Sequence, residues 1–335
     1  MSRLRVGIIG LGMAAGHHAR SFADLADKVE VAAAFSPTAS RREAFAKAYG
    51  FPTLDNADAI FGDATIDAVA ILTPPNTHLE LVERAAKAGK HILLEKPLDI
   101  TLERAEAIVA VADAAGVTLS VMLQNRYRPA MLALEKLLLE GRLGELVEAS
   151  ASIRNWRPQS YYDEPGRGTK TRDGGGVLLT QGVHTIDLLL TLAGIPTDVK
   201  AFARTSPVHR METEDQVCAA LCYANGAMGT LTATTTAFPG YPEQIMLIGT
   251  KGSAVLTGSQ LEVRFTDGTV FSEGGGAVGS GSGADPMAFG HDLHRALIDD
   301  FVTAIRDDVK VKVTGQDALN AQRFIDVILA AAKDG

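Results

Sequence analysis

The sequence predicts an α/β protein with an N-terminal doubly wound parallel sheet and a C-terminal α/β domain built on a large, mostly antiparallel open sheet. Through the first 123 residues, apolar β-branched runs alternate with helical patterns, which is typical of parallel strands joined by crossover helices. Beyond that point, alternating strands are joined by hairpin turns such as Asn225-Gly226 and Asp267-Gly268. We therefore expect two domains, residues 1–123 and 124–335.

The elements of the first domain follow from its apolar periodicity. Strands are expected at 3–9, 29–35, 67–73, 91–95 and 118–123, with a short strand at 51–54. Helices are expected at 14–26, 40–49, 77–88 and 102–115, and a further helix at 128–140 closes the region.

The second domain shows a run of strands that one helix interrupts. Its strands are expected at 146–154, 199–205, 216–223, 227–235, 244–249, 253–257, 261–265 and 269–272. Helices are expected at 176–193, 291–306 and 316–333, and the Gly- and Ser-rich segment 274–283 is expected to be a flexible loop. Few helices remain to cover the outer face of this sheet. We therefore expect a homodimer or homotetramer formed through it.

Composition narrows the class of partner. The chain of 335 residues is 46% hydrophobic and carries a net charge of −8 without a long basic run, which argues against binding to nucleic acid or to an anionic membrane. Cys218 and Cys222 would share one face of a strand, and we expect them to be buried apolar filler rather than a metal or redox site. We predict no secretory signal, no membrane span and a cytoplasmic location.

The first strand leads into a glycine turn of the dinucleotide-binding type. Gly10 permits the tight turn, Gly12 lets the backbone approach a pyrophosphate, and Ala15 stands where the fingerprint accepts Gly or Ala. Met13 and Ala14 lead into the helix, whose N-terminal N–H groups would hold the phosphates. An ordinary tight turn is the alternative, but the strand–turn–helix context favours a cofactor site.

The end of the second strand bears on the choice of cofactor. Ser36 stands where NAD-binding folds usually carry an acidic residue for the ribose hydroxyls, and it would not repel a 2′-phosphate. Arg41 and Arg42 follow at the start of the next helix, where a guanidinium can pair with that phosphate. A solvated basic helix start is the other interpretation. We predict NADP, with NAD as the alternative.

Two further loops are expected at the carboxyl edge of the parallel sheet, where ligands bind in such folds. In the run Thr73-Pro74-Pro-Asn76-Thr-His78, we expect contacts with the cofactor, although helix capping alone would also explain these residues. His78 is interpreted as a residue of the helix's first turn rather than a catalyst.

The other loop is Glu95-Lys96-Pro97, which follows the apolar fifth strand. It places the Lys96 ammonium at the mouth of the sheet beside the expected nicotinamide. The proline biases Lys96 away from helix and fixes the exit of the chain. We count Glu95, Lys96 and Asn125 among the cofactor-binding residues.

Together these motifs resemble the Gfo/Idh/MocA oxidoreductases, the glucose–fructose oxidoreductase and inositol dehydrogenase family. The resemblance covers nearly the whole chain. Besides the runs named above, it includes Asn125-Arg126-Tyr127, the segment from Gly174 to Asp187 (GGGVLLTQGVHTID), Gly249-Thr-Lys-Gly252-Ser, and the tail from Asp300 to Arg306. The combination of Glu-Lys-Pro with the glycine-rich histidine helix is specific, whereas the glycine turn alone is not.

The resemblance implies a Rossmann domain followed by an α/β domain, with the substrate between them against the nicotinamide. It implies that Lys96 and His184 touch the oxygen of the reacting carbon. Many members carry Asp one helical turn before this histidine, where the present chain has Thr180. Thr180 shares a helix face with His184 and can donate a hydrogen bond, but it cannot act as a carboxylate. Asp187 is expected to orient the helix or its neighbours.

Aromatic and cationic residues near the predicted domain junction suit a hydroxylated substrate, including an anionic one. The substrate candidates are Arg126, Trp156, Tyr161, Thr180 and Gln181. His291 and His294 match a two-histidine spacing without a third ligand, so we interpret them as a solvent-facing helix start and predict no metal.

The sequence therefore predicts an NAD(P)-dependent dehydrogenase or reductase that acts on a sugar, a sugar derivative or a cyclitol. One alternative is an oxidoreductase that keeps its cofactor bound while one substrate is oxidised and another reduced. A second alternative is a non-catalytic NADP-binding regulator. The presence of both Lys96 and His184 argues against the regulator.

Overall fold

A computed structural model describes residues 3–275, 281–285 and 287–333. Its strands are β1 Leu4–Ile9, β2 Val29–Phe35, β3 Thr53–Leu54, β4 Ala68–Ile71, β5 His91–Leu94, β6 Leu119–Val121, β7 Leu146–Arg154, β8 Asp198–Arg204, β9 Gln216–Cys222, β10 Met228–Thr234, β11 Gln244–Gly249, β12 Gly252–Thr257, β13 Gln260–Phe265 and β14 Val270–Glu273. Its α-helices are α1 Ala15–Asp24, α2 Ala39–Tyr49, α3 Ala57–Gly62, α4 His78–Lys87, α5 Leu102–Ala115, α6 Pro129–Leu139, α7 Gln159–Tyr162, α8 Val183–Ala193, α9 Asp292–Asp307 and α10 Gly315–Ala331.

The chain forms two compact units. The first combines Met1–Gln124 with Gly290–Leu319, and the second combines Asn125–Phe289 with Asn320–Gly335. The domain boundaries predicted from the sequence differ from this division, because they assign everything beyond residue 123 to the second domain. In the structure α9 packs on α1 and approaches β5, so the segment 290–319 belongs with the parallel sheet.

The first unit contains the predicted parallel sheet, with six strands in the order β3-β2-β1-β4-β5-β6. The apolar run of β1 is buried from Val6 to Ile9, as strands covered on both faces must be. Helix α3, which has six residues, was not predicted from the sequence. It is capped by Asn56, whose side chain accepts the N–H of Asp58 at 2.8 Å.

The second unit contains an open sheet of eight strands in the order β14-β13-β12-β11-β7-β10-β9-β8. It is antiparallel except for the β7–β10 pair. One face packs against α8, which contacts β7 and β11, and against α6, which contacts β12, β13 and β14. The predicted architecture is confirmed for both sheets.

The cysteine prediction is half right. Cys218 and Cys222 lie on the same face of β9, but both are exposed and free, so they are not buried filler. The alternate positions Val217, Ala219 and Leu221 are the buried ones. The larger apolar side chains occupy the inner face, which leaves the cysteines on the open face.

Two further expectations concern loops and membranes. Of the segment 274–283, which was expected to be a flexible loop, residues 276–280 lie outside the described residues. Among the helices that the structure describes, none has the length and apolar character needed to cross a bilayer.

Candidate active site

The glycine turn after β1 has the shape that a dinucleotide requires. Gly10 has a φ of 102°, and a Cβ placed on it would lie 2.8 Å from the carbonyl carbon of Leu72. Gly12 is exposed, and a Cβ there would meet nothing within 4 Å. Met13 is also exposed, immediately before α1 begins at Ala15. The open space at Gly12, beside a helix N-terminus, fits a cofactor phosphate.

Ser36, which follows β2, was expected to contact the cofactor. Ser36 is only 1% exposed, and its Oγ accepts the N–H of Thr38 at 3.3 Å. Its carbonyl oxygen accepts from Arg42 Nη1 at 2.7 Å. Ser36 therefore organises the turn, whereas Arg41 is exposed in the first turn of α2. The expected contacts of both residues with the cofactor stay predictions.

The residues of the loop after β4 differ in their exposure to solvent. Pro74 and Asn76 are exposed and Thr73 is half-buried. His78 is fully buried, with Nδ1 2.9 Å from the Leu98 carbonyl oxygen and Nε2 2.9 Å from the Thr73 carbonyl oxygen. Burial lowers the pKa of this imidazole. His78 is therefore a structural tie between two loops, and its expected contact with the cofactor stays a prediction.

Lys96 leaves the carboxyl end of β5 beside a buried carboxylate. Its backbone N–H donates to Glu95 Oε2 at 3.2 Å, and its side chain is half-buried. The other oxygen of Glu95 lies 2.7 Å from His18 Nε2 of α1. Burial by itself raises the pKa of Glu95, but the hydrogen bond from His18 and the neighbouring charges hold it at about 2.

A second histidine completes this cluster and corrects a prediction. His294 is only 3% exposed, so it does not face solvent as expected. Ligand-type atoms of His18, Glu95 and His294 all lie within 4.8 Å of one another, and the His17 ring centroid is 5.2 Å from that of His294. Two imidazoles and a carboxylate are also a donor set that metals use. Here His18 and Glu95 are hydrogen-bonded to each other, and the His294 ring meets that of His18 edge to face with centroids 5.3 Å apart, so we interpret the group as a packed polar cluster.

The segment that carries His184 is not the uniform α-helix predicted from the sequence. It begins with a π-helical turn, Leu178–Gly182, before α8 starts at Val183. Glu214 holds the beginning of this segment, because its Oε2 accepts the N–H of Gly176 at 3.1 Å and its Oε1 accepts that of Leu178 at 3.2 Å. π-Helical turns are often found at functional sites.

The polar side chains of this segment are placed as follows. Thr180 and His184 are half-buried, as is Gln181. Thr180 Oγ1 lies 2.7 Å from the Gly176 carbonyl oxygen and also contacts Gln181 Oε1. The hydroxyl of Thr180 is thus drawn into the π turn.

Arg126, which was expected to contact the substrate, lies in a buried ion pair. Its Nε donates to Asp187 Oδ2 at 2.8 Å, and its second contact joins Nη2 to Asp187 Oδ1 at 2.5 Å. Both side chains are almost fully buried. The Asp187 carboxylate therefore joins α8 to the segment that contains Arg126. Arg126 forms this bidentate ion pair, and its expected contact with the substrate stays a prediction.

The remaining substrate candidates lie among stacked aromatic and cationic groups in the second unit. The Tyr161 hydroxyl accepts from Arg167 Nη1 at 3.1 Å, and the Arg167 guanidinium lies 4.7 Å from the Tyr161 ring centroid. Trp156 is half-buried and meets Phe238 edge to face. Aromatic side chains with defined neighbours of this kind can stack on a sugar ring.

The sequence analysis missed several residues that shape these regions. They are His18, Glu214, His209 and Asp215. His209 is buried, with Nδ1 2.8 Å from Asp215 Oδ2 and Nε2 2.8 Å from the Arg157 carbonyl oxygen. His18 and Glu214 act through contacts distant in sequence, whereas the His209–Asp215 contact spans six residues without forming a recognised motif.

Comparison with known proteins decides the family. Residues 4–123 match the model of the oxidoreductase family with an NAD-binding Rossmann fold, and residues 131–255 match the GFO/IDH/MocA C-terminal domain. The chain is 30% identical over 347 residues to inositol 2-dehydrogenase of Rhizobium meliloti, covering 99% of this chain and 97% of that protein. The chain belongs to the Gfo/Idh/MocA family. It is an oxidoreductase that acts on CH–OH groups with a nicotinamide cofactor.

Two other members of the Gfo/Idh/MocA family are informative. Over 203 residues the chain is 32% identical to scyllo-inositol 2-dehydrogenase (NADP(+)) IolW of Bacillus subtilis, covering 59% of this chain and 54% of that one. The solved structure of the WlbA dehydrogenase from Bordetella pertussis, in complex with NADH and UDP-GlcNAcA, superposes with a TM-score of 0.85 at 27% identity. The superposition covers 100% of this chain and 98% of the WlbA chain.

Proposed function

We propose that this enzyme transfers a hydride between a nicotinamide cofactor and a hydroxyl-bearing carbon of a sugar, a sugar derivative or a cyclitol, with Lys96 and His184 acting on the reacting oxygen. The observation that carries the proposal is the position of Lys96, at the carboxyl end of β5 next to a buried carboxylate. Similarity to an inositol dehydrogenase and to an enzyme crystallised with a sugar nucleotide supports the substrate class.

The chemistry divides between the cofactor and two side chains. When bound, the nicotinamide accepts the hydride from the carbon. The Lys96 ammonium stabilises negative charge that develops on the substrate oxygen. His184 accepts the hydroxyl proton at its imidazole, a group whose ordinary pKa lies near neutrality. Loss of one hydride and one proton converts the alcohol to a carbonyl, and the reverse order reduces it.

We propose that the cofactor is NADP rather than NAD. Ser36 brings no carboxylate to the end of β2, and Arg41 is exposed in the first turn of α2. Both features favour a 2′-phosphate. NAD is the alternative, because the WlbA structure contains NADH whereas IolW is named for NADP.

We also propose a homodimer or homotetramer formed through the open face of the second sheet. Apolar or sulfur-bearing side chains populate that face across five strands: Phe202, Cys218, Ala220, Cys222, Met228, Met246, Ile248 and Val255. Phe202 is 70% exposed and Met228 is 65% exposed. The two exposed, free cysteines suit a reducing compartment such as the cytoplasm.

Steady-state kinetics of Lys96→Met and His184→Asn test the catalytic proposal, once a screen of sugars and polyols has found a substrate. Each substitution is expected to lower kcat by about 10²–10⁴, because each removes a group that acts in the transition state. Lys87→Met and His291→Asn are matched controls and should keep wild-type kcat. Cofactor binding, measured separately, should persist in all four. Near-wild-type kcat in Lys96→Met would refute the mechanism.

A further inference from the structure

His209 is a buried histidine whose two ring nitrogens both face hydrogen-bond acceptors. The residue is only 5% exposed. Its Nδ1 lies 2.8 Å from Asp215 Oδ2, and its Nε2 lies 2.8 Å from the carbonyl oxygen of Arg157. A carbonyl oxygen has no proton to give, so Nε2 must carry a proton and donate it.

The Asp215 carboxylate is occupied by other donors as well. The Ser206 N–H donates to Oδ1 at 2.7 Å, and the Ser206 hydroxyl donates to Oδ2 at 2.6 Å. Both oxygens of this fully buried carboxylate therefore act as acceptors, and Nδ1 of His209 must carry a proton too. A neutral imidazole has only one N–H, so the geometry requires the charged, doubly protonated ring.

Aromatic side chains surround this imidazolium. The ring centroid of Tyr162 lies 4.8 Å from that of His209, and the ring centroid of Trp156 lies 6.4 Å away. The Tyr162 hydroxyl donates to Thr235 Oγ1 at 3.0 Å, and burial raises the pKa of this phenol, so it stays uncharged. The negative charge that balances the imidazolium is then that of Asp215.

The ion pair fixes the chain next to an indole ring. The Arg157 N–H donates to the Thr235 carbonyl oxygen at 2.9 Å, while the Arg157 carbonyl oxygen accepts from His209. Both peptide groups of this residue are thus held. Trp156 directly precedes it, half-buried and edge to face against Phe238. The position of the indole therefore depends on the contact between His209 and Arg157.

We propose that His209 is a positioning residue for Trp156: an imidazolium, ion-paired with Asp215, that holds the Arg157 carbonyl and so sets the indole ring on which a sugar or cyclitol ring stacks. The inference rests on the proposed function in taking that ring as the substrate. It assigns His209 to substrate binding and leaves the chemical step to Lys96 and His184.

Nitrogen NMR of the full-length protein tests the protonation state without substrate or cofactor. With ¹⁵N-labelled histidine at neutral pH, both ring nitrogens of His209 should show the chemical shifts of protonated nitrogen. The signal is assigned by its loss in His209→Gln. A neutral His209 ring in the wild-type protein overturns the proposal, and this result does not depend on the folding of any variant.

Trp156 is the only tryptophan in the chain, so its fluorescence reports on this region alone. The amide of His209→Gln carries N–H groups on one atom only and cannot donate to both acceptors. Quenching of Trp156 by acrylamide should therefore increase in this variant, with folding checked by circular dichroism. Tyr223→Phe is the matched control, because it removes a different buried donor, which contacts the Ala149 carbonyl oxygen at 3.3 Å. Unchanged quenching in folded His209→Gln overturns the proposal.

Kinetics with the substrate found by the sugar and polyol screen complete the test. His209→Gln should raise KM about tenfold, the effect of losing one hydrogen bond to a charged donor, and should leave kcat close to wild type. Tyr223→Phe should change neither. A lower kcat with an unmoved KM would refute the positioning role.

The outcomes separate this inference from the proposed function. Active Lys96→Met would refute the catalytic proposal while leaving the NMR and fluorescence results intact. Inactive Lys96→Met with an unmoved KM in His209→Gln would refute the role of His209 alone.

Discussion

Gly176 and Glu214 fix each other's position at the start of the His184 segment. The Gly176 N–H donates to Glu214 Oε2 at 3.1 Å, and a Cβ on Gly176 would lie 1.8 Å from the Glu214 carbonyl oxygen. Any side chain at position 176 would therefore push the two chain segments apart. The same carboxylate also accepts the N–H of Leu178, so one residue anchors the turn that leads to Thr180 and His184.

Replacing Glu214 by Ala should therefore impair both stability and turnover. Two backbone N–H groups lose their acceptor, which should cost about 1–3 kcal/mol of unfolding free energy. The freed π turn should lower kcat while cofactor affinity, a property of the other unit, stays constant. Urea unfolding, kinetics and cofactor titration measure these effects. Glu212→Ala, an exposed neighbour that accepts from the Lys170 N–H, should be nearly neutral. A stable Glu214→Ala enzyme with unchanged kcat would contradict the anchoring role.

The buried histidine of α9 should make the protein sensitive to acid. Burial lowers the pKa of His294 from 6.5 to about 3, so the unfolded chain binds this proton before the folded chain does. Stability is then fully present above pH 6.5 and is lost as the pH falls toward 3. Glu95 adds a loss of the same sign as its carboxylate is protonated between 4.5 and about 2.

Melting temperatures measured between neutral and mildly acidic pH test this expectation. His294→Gln removes the imidazole, so its Tm should fall less steeply with acidification than that of the wild type. His291→Gln, three residues earlier and partly exposed beside Asp24, should follow the wild-type slope. Equal slopes in His294→Gln and the wild type would show that the buried imidazole does not set the acid limit.

Arg41 should determine the preference for NADP. A charge-assisted pair with the 2′-phosphate is worth roughly 1.5–3 kcal/mol, so Arg41→Ala should weaken NADP about ten- to a hundredfold and leave NAD nearly unchanged. Fluorescence titration of both cofactors measures this. Lys47→Ala, near the other end of α2, is the control. Tighter binding of NAD than NADP by the wild type would mean that the end of β2 was misinterpreted.

A charge on the open sheet face should separate the subunits. Phe202, on the edge strand β8, pairs with Cys218 of β9 on the exposed apolar face. Phe202→Asp would bury a carboxylate in any interface there, so light scattering should show smaller particles than the wild type. Leu139→Asp, at an exposed position at the end of α6, should not change the mass. A wild-type monomer at micromolar concentration would exclude the proposed assembly.

The positions of residues at strand ends could be predicted, because strand and turn are local properties. The apolar run of β5 and the following proline place Lys96 at the carboxyl edge, and the structure agrees to within one residue. The π turn before His184 was not predictable in the same way. It depends on hydrogen bonds from Gly176 and Leu178 to Glu214, whose carboxylate lies more than thirty residues away in sequence.

The apolar stripe of α9 indicates that His294 is buried, whereas the spacing of His291 and His294 does not. His294 lies in register with Leu297, Ile298 and Phe301 on the apolar stripe of α9, and all four are buried. A polar residue within such a stripe indicates a buried partner. The exposure of Cys218 was different, because alternation along β9 places residues on two faces without saying which face is covered.

The return of residues 290–319 to the first unit has a consequence for how the protein is made. The Ser120 hydroxyl donates to the Val313 carbonyl oxygen at 2.9 Å, and α9 lies on α1. During synthesis, nearly the whole of the second unit must therefore leave the ribosome before residues 290–319 can complete the first unit. Until then the emerging dinucleotide-binding half leaves the α1 surface and the edge strand β6 uncovered. A fragment cut after residue 124 would keep that unfinished state permanently.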